Sequence, residues 1–395
     1  MTRYDVIVVG AGPSGSASAR LLAASGVRVL MLDAEAFPRR KPCGESLNPG
    51  AVAALGRITG YSHVQEAFDF PSSPIQGWKV SSGRASLEAI YPEGQYGAGC
   101  RREQVDLWLA EQASRSGAVF EQRTKVERLI WEGERVAGVI ARSPEGKPMS
   151  IRASLIIGSD GLRSVVARNA KVNRYGSLRK AAFTARLNGV RGLNGRVELF
   201  TAGEGKVIGL APIGAGLANM TVVLGSSKAA SLADKDRSGL VLREARAVPE
   251  LTERLRDAEI EDGVLTCGPF DRPVIPQDIA GMLLLGDAAG YYDPLTGQGI
   301  YRALRSAELA APAIVSMLQT RSHEPLRQYR MARQAEFATG TRLQHIIERL
   351  CRQPFLWRSA LRMIGTSSLL TNKLAEMIGD CPKETNTCIP VMKSP

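Results

Sequence analysis

Tyr4-Asp5-Val6-Ile7-Val8-Val9-Gly10-Ala11-Gly12-Pro13-Ser14-Gly15, with Val27-Arg28-Val29-Leu30-Met31-Leu32-Asp33-Ala34 close behind it, is the stretch that decides the fold. Tyr4–Val9 reads as a buried strand, Ser14–Ser25 as an Ala/Leu-rich helix ended by Gly26, and Val27–Leu32 as a second strand: the start of a βαβ unit. The glycine spacing has a physical reason. Gly10 permits a tight turn, Gly12 lets a diphosphate approach the backbone, and Gly15 allows the helix to pack closely on the strand. Pro13 and Ser14 open the helix, whose N–H groups and positive dipole end favour an anion. Asp33, followed by Ala34, stands where a carboxylate accepts ribose hydroxyls and repels a 2′-phosphate. The unit predicts dinucleotide binding, with FAD or NAD better suited than NADP.

Working outward, a Pro/Arg-rich loop, Phe37–Cys43, leads to a short helix near Gly50–Leu55 and strands near Gln76–Ser82 and Ala85–Tyr91. A helix is expected over Glu103–Ser116, alternating strands over Ala118–Ala141, and one doubly buried strand over Ile151–Ile157. From Leu178 to Leu224 the pattern turns antiparallel, with strands near Ala181–Leu187, Arg196–Phe200, Lys206–Leu210 and Ala218–Val223. Met282–Leu285 is another apolar strand, and a long helix starts near Gln298. Beyond His323 the chain reads as helical, with breaks at Pro354 and Gly365.

Composition narrows the classes. With 395 residues, 44% apolar and 23% charged, the chain can bury a large cofactor, and it holds no apolar run of the roughly 20 residues that a membrane helix needs. Met1 runs directly into the first strand without a leader-like segment, which predicts a cytoplasmic location. Six scattered cysteines form no metal-ligand or disulfide pattern, so no metal site is expected and the thiols should be reduced. The net charge of +12 comes without nucleic-acid motifs and with only 6% aromatics, which argues against nucleic acid. Arg321–Lys373 carries ten Arg/Lys against three Glu. Such a segment is expected to be a solvated basic helical face, with a membrane surface, an acidic carrier protein or an acidic substrate as alternative contacts.

Two later blocks complete the pattern: Ser159-Asp160-Gly161-Leu162-Arg163-Ser164, and Leu285-Gly286-Asp287-Ala288-Ala289 with Pro294, Gly297, Gly299 and Ile300. With them the chain, over about Met1–Thr320, resembles the class A flavoprotein superfamily of aromatic hydroxylases, geranylgeranyl reductases and flavin-dependent halogenases. The resemblance implies FAD, with Asp160 and Gly161 in an Asp-Gly motif and Gly286 and Asp287 at the ribityl or ribose region. It also implies that Pro294, Gly297 and Gly299 lie beside the flavin ring, and that Arg102, with Arg101 as its rival, lies near the diphosphate. The implied fold is α/β (α+β overall): an FAD-binding Rossmann-like domain (1–60, 97–175, 265–320), an antiparallel-sheet substrate domain (61–96, 176–264) and a helical C-terminal region (321–395).

Lys41-Pro42-Cys43-Gly44 and Gly297-Gln298-Gly299-Ile300-Tyr301 are similar to geranylgeranyl reductase segments, and Gly44-Glu45-Ser46-Leu47 is similar to a halogenase stretch. Cys43 and Glu45 are therefore candidate catalytic residues. Val207–Pro212 lacks the aromatic block of both subfamilies, and Lys79, where a halogenase-like lysine would be sought, reads as a lysine on a solvated strand. The leading expectation is an NAD(P)H-dependent flavin monooxygenase that oxidises a hydrophobic aromatic or polyketide-like molecule through a C4a-peroxyflavin. NAD(P)H would bind transiently, since a second dinucleotide motif is missing. Apolar strands Val207–Ala211 and Ala218–Leu224 would wall the substrate pocket. The alternative is a geranylgeranyl-reductase-like enzyme acting on a C=C bond of a lipophilic substrate; a halogenase and a non-enzymatic binding protein on this fold are weaker readings.

Overall fold

The computed structural model describes residues 4–225, 236–276 and 278–382. The chain opens with β1 (Val6–Val9), α1 (Pro13–Ala24), β2 (Val29–Leu32), β3 (Ser46–Leu47) and α2 (Pro49–Thr59). It continues with β4 (Ser72–Ile75), β5 (Gly77–Ser82), β6 (Ala85–Ile90), β7 (Gly97–Cys100), α3 (Arg102–Arg115) and β8 (Val119–Glu121). Then come β9 (Lys125–Glu132), β10 (Arg135–Arg142), β11 (Pro148–Arg152), β12 (Leu155–Gly158) and α4 (Val165–Asn169). β13 (Lys180–Asn188), β14 (Arg196–Ala202), β15 (Lys206–Pro212), β16 (Ala218–Gly225), α5 (Arg237–Arg246) and α6 (Pro249–Thr252) follow. The last strands are β17 (Glu259–Ile260), β18 (Leu265–Cys267) and β19 (Met282–Leu284), and the chain closes with α7 (Gly299–Thr320), α8 (Glu324–Cys351), α9 (Pro354–Gly365) and α10 (Ser368–Gly379).

A five-stranded parallel sheet, in the order β19-β12-β1-β2-β8, carries the nucleotide motif. Apart from the edge strand β8, where Val119 is exposed, its strands are apolar on both faces because both are covered. Val6, Val8, Val29, Met31, Leu155 and Ile157 pack with Leu22 of α1 and Ile314 of α7. The alternate residues Ile7, Val9, Leu30, Leu32 and Ile156 pack with Val126, Val139 and Ala141 of the small β11-β10-β9 sheet. The run Ile151–Ile157 is not one strand. Arg152 ends β11, antiparallel to β10, and the chain crosses at Ala153-Ser154 into β12 of the parallel sheet. Apolarity alone cannot register such a change of sheet, because both strands are buried.

The second large sheet runs β17-β13-β16-β15-β14-β5-β6, with β18 also on β13; it is antiparallel except where β14 pairs β5. Strand alternation gives its faces different neighbours. Phe183, Phe200, Ile208, Met220 and Val222 pack against Leu240, Val241 and Ala245 of α5. Val80, Leu199, Val207, Thr221 and Val223 turn toward the central cavity, whose far wall includes Cys351 of α8 and Trp357 of α9. The Trp357 indole donates to Thr201 Oγ1 at 2.9 Å, so its polar edge is satisfied. Among the described residues, no helix is long and apolar enough to cross a membrane. The five described cysteines are free, and Cys388 lies outside the described residues.

Candidate functional site

The turn between β1 and α1 needs its glycines for different reasons. Gly10 has φ +94°, and a Cβ on it would lie 2.7 Å from the Asp160 Cα. A Cβ on Gly15 would overlap the Gly10 carbonyl, so helix and strand could not close. Gly12 is different: a Cβ on it would find only Arg39 Nη2, at 3.8 Å, within 4 Å among the described residues, so the space beside it is open. That space lies on a cavity of ≈1290 Å³, larger than the roughly 300–1,000 Å³ of ordinary small-molecule sites. Gly12, Pro13, Ser14, Arg102, Gly161, Gly286, Asp287, Pro294, Gly297, Gly299 and Ile300 all face it.

Gly10, Gly15, Asp33, Ala34 and Asp160 do not line the cavity. Asp33 Oδ2 accepts from Ala11 N–H (2.8 Å) and Arg39 Nη2 (3.1 Å), and its Oδ1 accepts from Glu35 N–H (3.0 Å). A carboxylate has about four acceptor positions, so room for a ribose hydroxyl remains. Ala34 is exposed. Asp160 Oδ2 caps α4 by accepting from Val165 N–H at 2.6 Å, while its Oδ1 is buried without a partner; burial raises its pKa.

Arg102 is held on the cavity wall by buried Asp106, one helical turn on, at 2.6 Å. Burial alone would lower the Arg102 pKa, but Asp106 together with Cys43 more than reverses it, so the guanidinium stays charged. Arg39 bridges Asp106 (3.3 Å) and Asp33 (3.1 Å), joining both ends of the nucleotide site. Arg101 turns away to Glu261 at 2.6 Å. Sequence reasoning missed Arg39 and Asp106; only the i,i+4 spacing of Arg102 and Asp106 signalled a pair.

The candidate catalytic pair separates. Cys43 faces the cavity, and its Sγ accepts from Arg102 Nη1 and Glu45 N–H, each at 3.4 Å. Glu45 does not line the cavity. Its carboxylate is buried, accepting from Arg186 Nε (2.9 Å), Arg102 N–H (2.9 Å) and Asn219 Nδ2 (3.1 Å). A carboxylate so fully hydrogen-bonded to a cation braces the Lys41–Pro49 segment and has no route to a substrate proton. Lys79 lies beside Glu198 in the β5–β14 register and is likewise off the cavity.

Asp287 follows β19, and among the described residues its carboxylate meets positive charges but accepts no hydrogen bond. Burial raises its pKa, opposed by Lys41, Arg102, Arg302 and Arg333. The following loop, Asp293–Gln298, is pinned from α8, where Gln344 donates to Thr296 Oγ1 at 2.9 Å and His345 packs on Tyr292. It ends at the N-terminus of α7, a second source of unpaired N–H groups.

These residues fit FAD. The bare Gly12 cradle and the α1 N-terminus suit the diphosphate, the unpartnered Asp287 carboxylate suits polyol hydroxyls, and the α7 N-terminus suits the electron-rich edge of the ring. The fold and site thus define a dinucleotide-binding flavoprotein. The family profile described as FAD binding domain matches residues 3–341, and the chain belongs to that family. It is an FAD-dependent oxidoreductase.

Among its relatives, the digeranylgeranylglycerophospholipid reductase 2 of Methanococcoides burtonii is 28% identical over 320 residues, covering 78% of this chain and 73% of that protein. The menaquinone reductase of Mycolicibacterium smegmatis is 29% identical over 328 residues, covering 80% and 77%. Among solved structures, a flavin-dependent brominase shares the fold with a TM-score of 0.84, at 21% identity over 96% of this chain and 94% of that one. A geranylgeranyl bacteriochlorophyll reductase-like protein of Thermoplasma acidophilum has a TM-score of 0.72, at 22% identity over 96% and 92%.

Asp287→Ala should lower FAD affinity ten- to hundredfold, about 1.5–3 kcal/mol for a lost charged hydrogen bond. Flavin fluorescence titration of the apoprotein measures this. Unchanged affinity would remove Asp287 from the cofactor.

Proposed function

We propose that this protein reduces a C=C bond of a lipophilic, isoprenoid-type substrate. One observation carries the reading: an apolar chamber, walled by Val80, Leu199, Val207, Val223 and Trp357, opens beside the Cys43 thiol and the Pro294–Gly299 loop. The names of the relatives, reductases of an isoprenoid lipid and of a quinone, support it. Bound FAD would supply the hydride, replenished by NAD(P)H or another reductase.

The chain must then supply a proton to the second carbon and keep water out. Cys43 is placed to supply that proton: its thiol can donate it, and Arg102 Nη1, 3.4 Å from Sγ, would stabilise the thiolate left behind. Asn219 Nδ2, donating to the Cys43 carbonyl at 3.0 Å, steadies the backbone that carries it. Water exclusion follows from the apolar walls.

A second reading, monooxygenation of a hydrophobic aromatic or polyketide-like compound, draws on strand Val207–Pro212, which lacks the aromatic residues of the isoprenoid reductases. Oxygen separates the two. Reduced enzyme, held anaerobically with digeranylgeranylglycerophospholipid or menaquinone, should release a product two hydrogens heavier. Product carrying label from ¹⁸O₂, formed only in air, would replace the reductase reading with the monooxygenase.

A further inference from the structure

We propose that Arg302, Arg333 and Tyr329 form a phosphate-binding subsite, separate from the cofactor's diphosphate cradle and independent of which reaction runs in the chamber. Arg302 of α7 and Arg333 of α8 lie over the same ring, with guanidinium carbons 5.7 and 5.5 Å from the Phe337 centroid. Both face the cavity, as does Tyr329 one turn before Arg333.

Two guanidinium groups over one ring lose hydration and repel each other, a cost that an anion between them offsets. Here neither arginine has an ion pair among the described residues, although Arg327 and Arg330, on the same helix, both pair with Asp278. Arg302 gives one hydrogen bond, to Thr341 Oγ1 at 3.2 Å, and its Nη2 is buried without a partner. Arg333 Nε is also buried and unpartnered, and so is the hydroxyl of Tyr329, a residue only 3% exposed. The carboxylate that most favours the Arg302 charge is Asp380, which is already engaged by Asn48 and Gln298 at 2.8 Å each. Three donors without acceptors among the described residues, two of them cationic, suit a ligand with several anionic oxygens, which a phosphate provides.

The subsite is distinct from the cradle by helix geometry. A Cβ placed on Gly286 would meet Ser14 of the cradle and Ala303, so Ala303 turns to the cradle side. Arg302, rotated about 100° round the helix, turns instead to Gly340 and Thr341 of α8. The subsite and the apolar chamber also share one helix: Ile347 lines the same cavity, and Arg333 precedes it by 14 residues, about 21 Å along α8. That span suits either the phosphate of a nicotinamide dinucleotide approaching the flavin or the headgroup of an amphiphile whose chain enters the chamber.

Inorganic pyrophosphate is the probe, titrated calorimetrically into the FAD-loaded protein at low ionic strength. Binding is expected, weakened at least tenfold in Arg302→Gln and Arg333→Gln and by less in Tyr329→Phe, with flavin content and visible spectrum unchanged. Arg333→Lys, which keeps the charge, should retain part of the binding if the glutamine variant does not fold. Displacement of pyrophosphate by NADPH would assign the subsite to the reductant, and displacement by a long-chain alkyl phosphate to the substrate; either supports it. Absence of pyrophosphate binding, binding indifferent to the arginine substitutions, failure of both competitors, or loss of FAD in step with loss of pyrophosphate would each overturn the proposal. Loss of the anaerobic reduction alone would sink the functional reading and leave this one standing.

Discussion

Gly12→Val should purify without flavin while remaining folded. Among the described residues, a Cβ at this position meets no backbone, since its nearest neighbour is Arg39 Nη2 at 3.8 Å, and the local φ of −74° is open to any residue. The cost to the apoprotein is therefore limited to a poorer helix N-cap, about 1 kcal/mol. The cost to binding is much larger, because the branched side chain occupies the space through which a diphosphate reaches the α1 N–H groups. A loss of affinity of at least a hundredfold is expected, or about 2.7 kcal/mol. Absorbance in the flavin bands after gel filtration and the melting temperature of the apoprotein measure the two parts. A yellow variant would contradict the cradle, and an unfolded one would show that Gly12 serves packing.

Arg186→Ala should destabilise the fold by about 3–5 kcal/mol, the usual consequence of removing one partner from a buried ion pair. Arg186 is the hub of a cluster that draws in Glu45, Glu103 and Asp262 from three separate segments. Without it, Glu45 stays buried with only neutral N–H donors, so the substitution strands a charge as well as deleting a contact. The effect should depend on pH. Burial pushes the Glu103 pKa up, but the hydrogen bond from Arg186 and neighbouring charge bring it below its ordinary value. A carboxylate whose folded pKa is depressed contributes stability above its unfolded pKa and loses it as pH falls through the folded one. The gap between wild type and variant should thus be widest near neutral pH and narrow below about pH 4. Denaturant melts at both pH values provide the check; a gap that does not change with pH would mean that Arg186 acts through packing.

The nucleotide half was legible in the sequence because its signals are local. Gly10–Gly15, with Asp33 one strand later, specify a turn, a helix start and an acceptor within 24 residues, and Gly286-Asp287 follows an apolar strand in the same manner. The apolar strands Val207–Ala211 and Ala218–Leu224 also stand where the sequence placed the wall of a pocket. What escaped detection is held together by long-range contacts. Glu45 carries the same sequence label whether it faces a substrate or an arginine 141 residues away, and only tertiary structure makes the choice. Arg39 reads as one more basic loop residue until Asp33 and Asp106 are seen on either side of it. Arg333 sits in a segment that reads as a solvated basic face, because charge periodicity cannot say which turn of a helix looks inward.

The parallel seam in the large sheet, where β14 lies alongside β5, bears on how this protein can be divided. β5 and β6 are made early, yet the strands that complete their sheet arrive only after the chain has passed through α3 and β12. A fragment ending before Lys180 would hold β5–β6 as an isolated hairpin, which is marginal in water. One beginning at Lys180 would leave β14 as a raw edge open to pairing with other chains. A single crossover between Ile90 and Lys180 therefore cannot exchange the chamber wall intact between two such enzymes. A graft that alters substrate choice has to carry both Gly77–Ile90 and Lys180–Gly225 together.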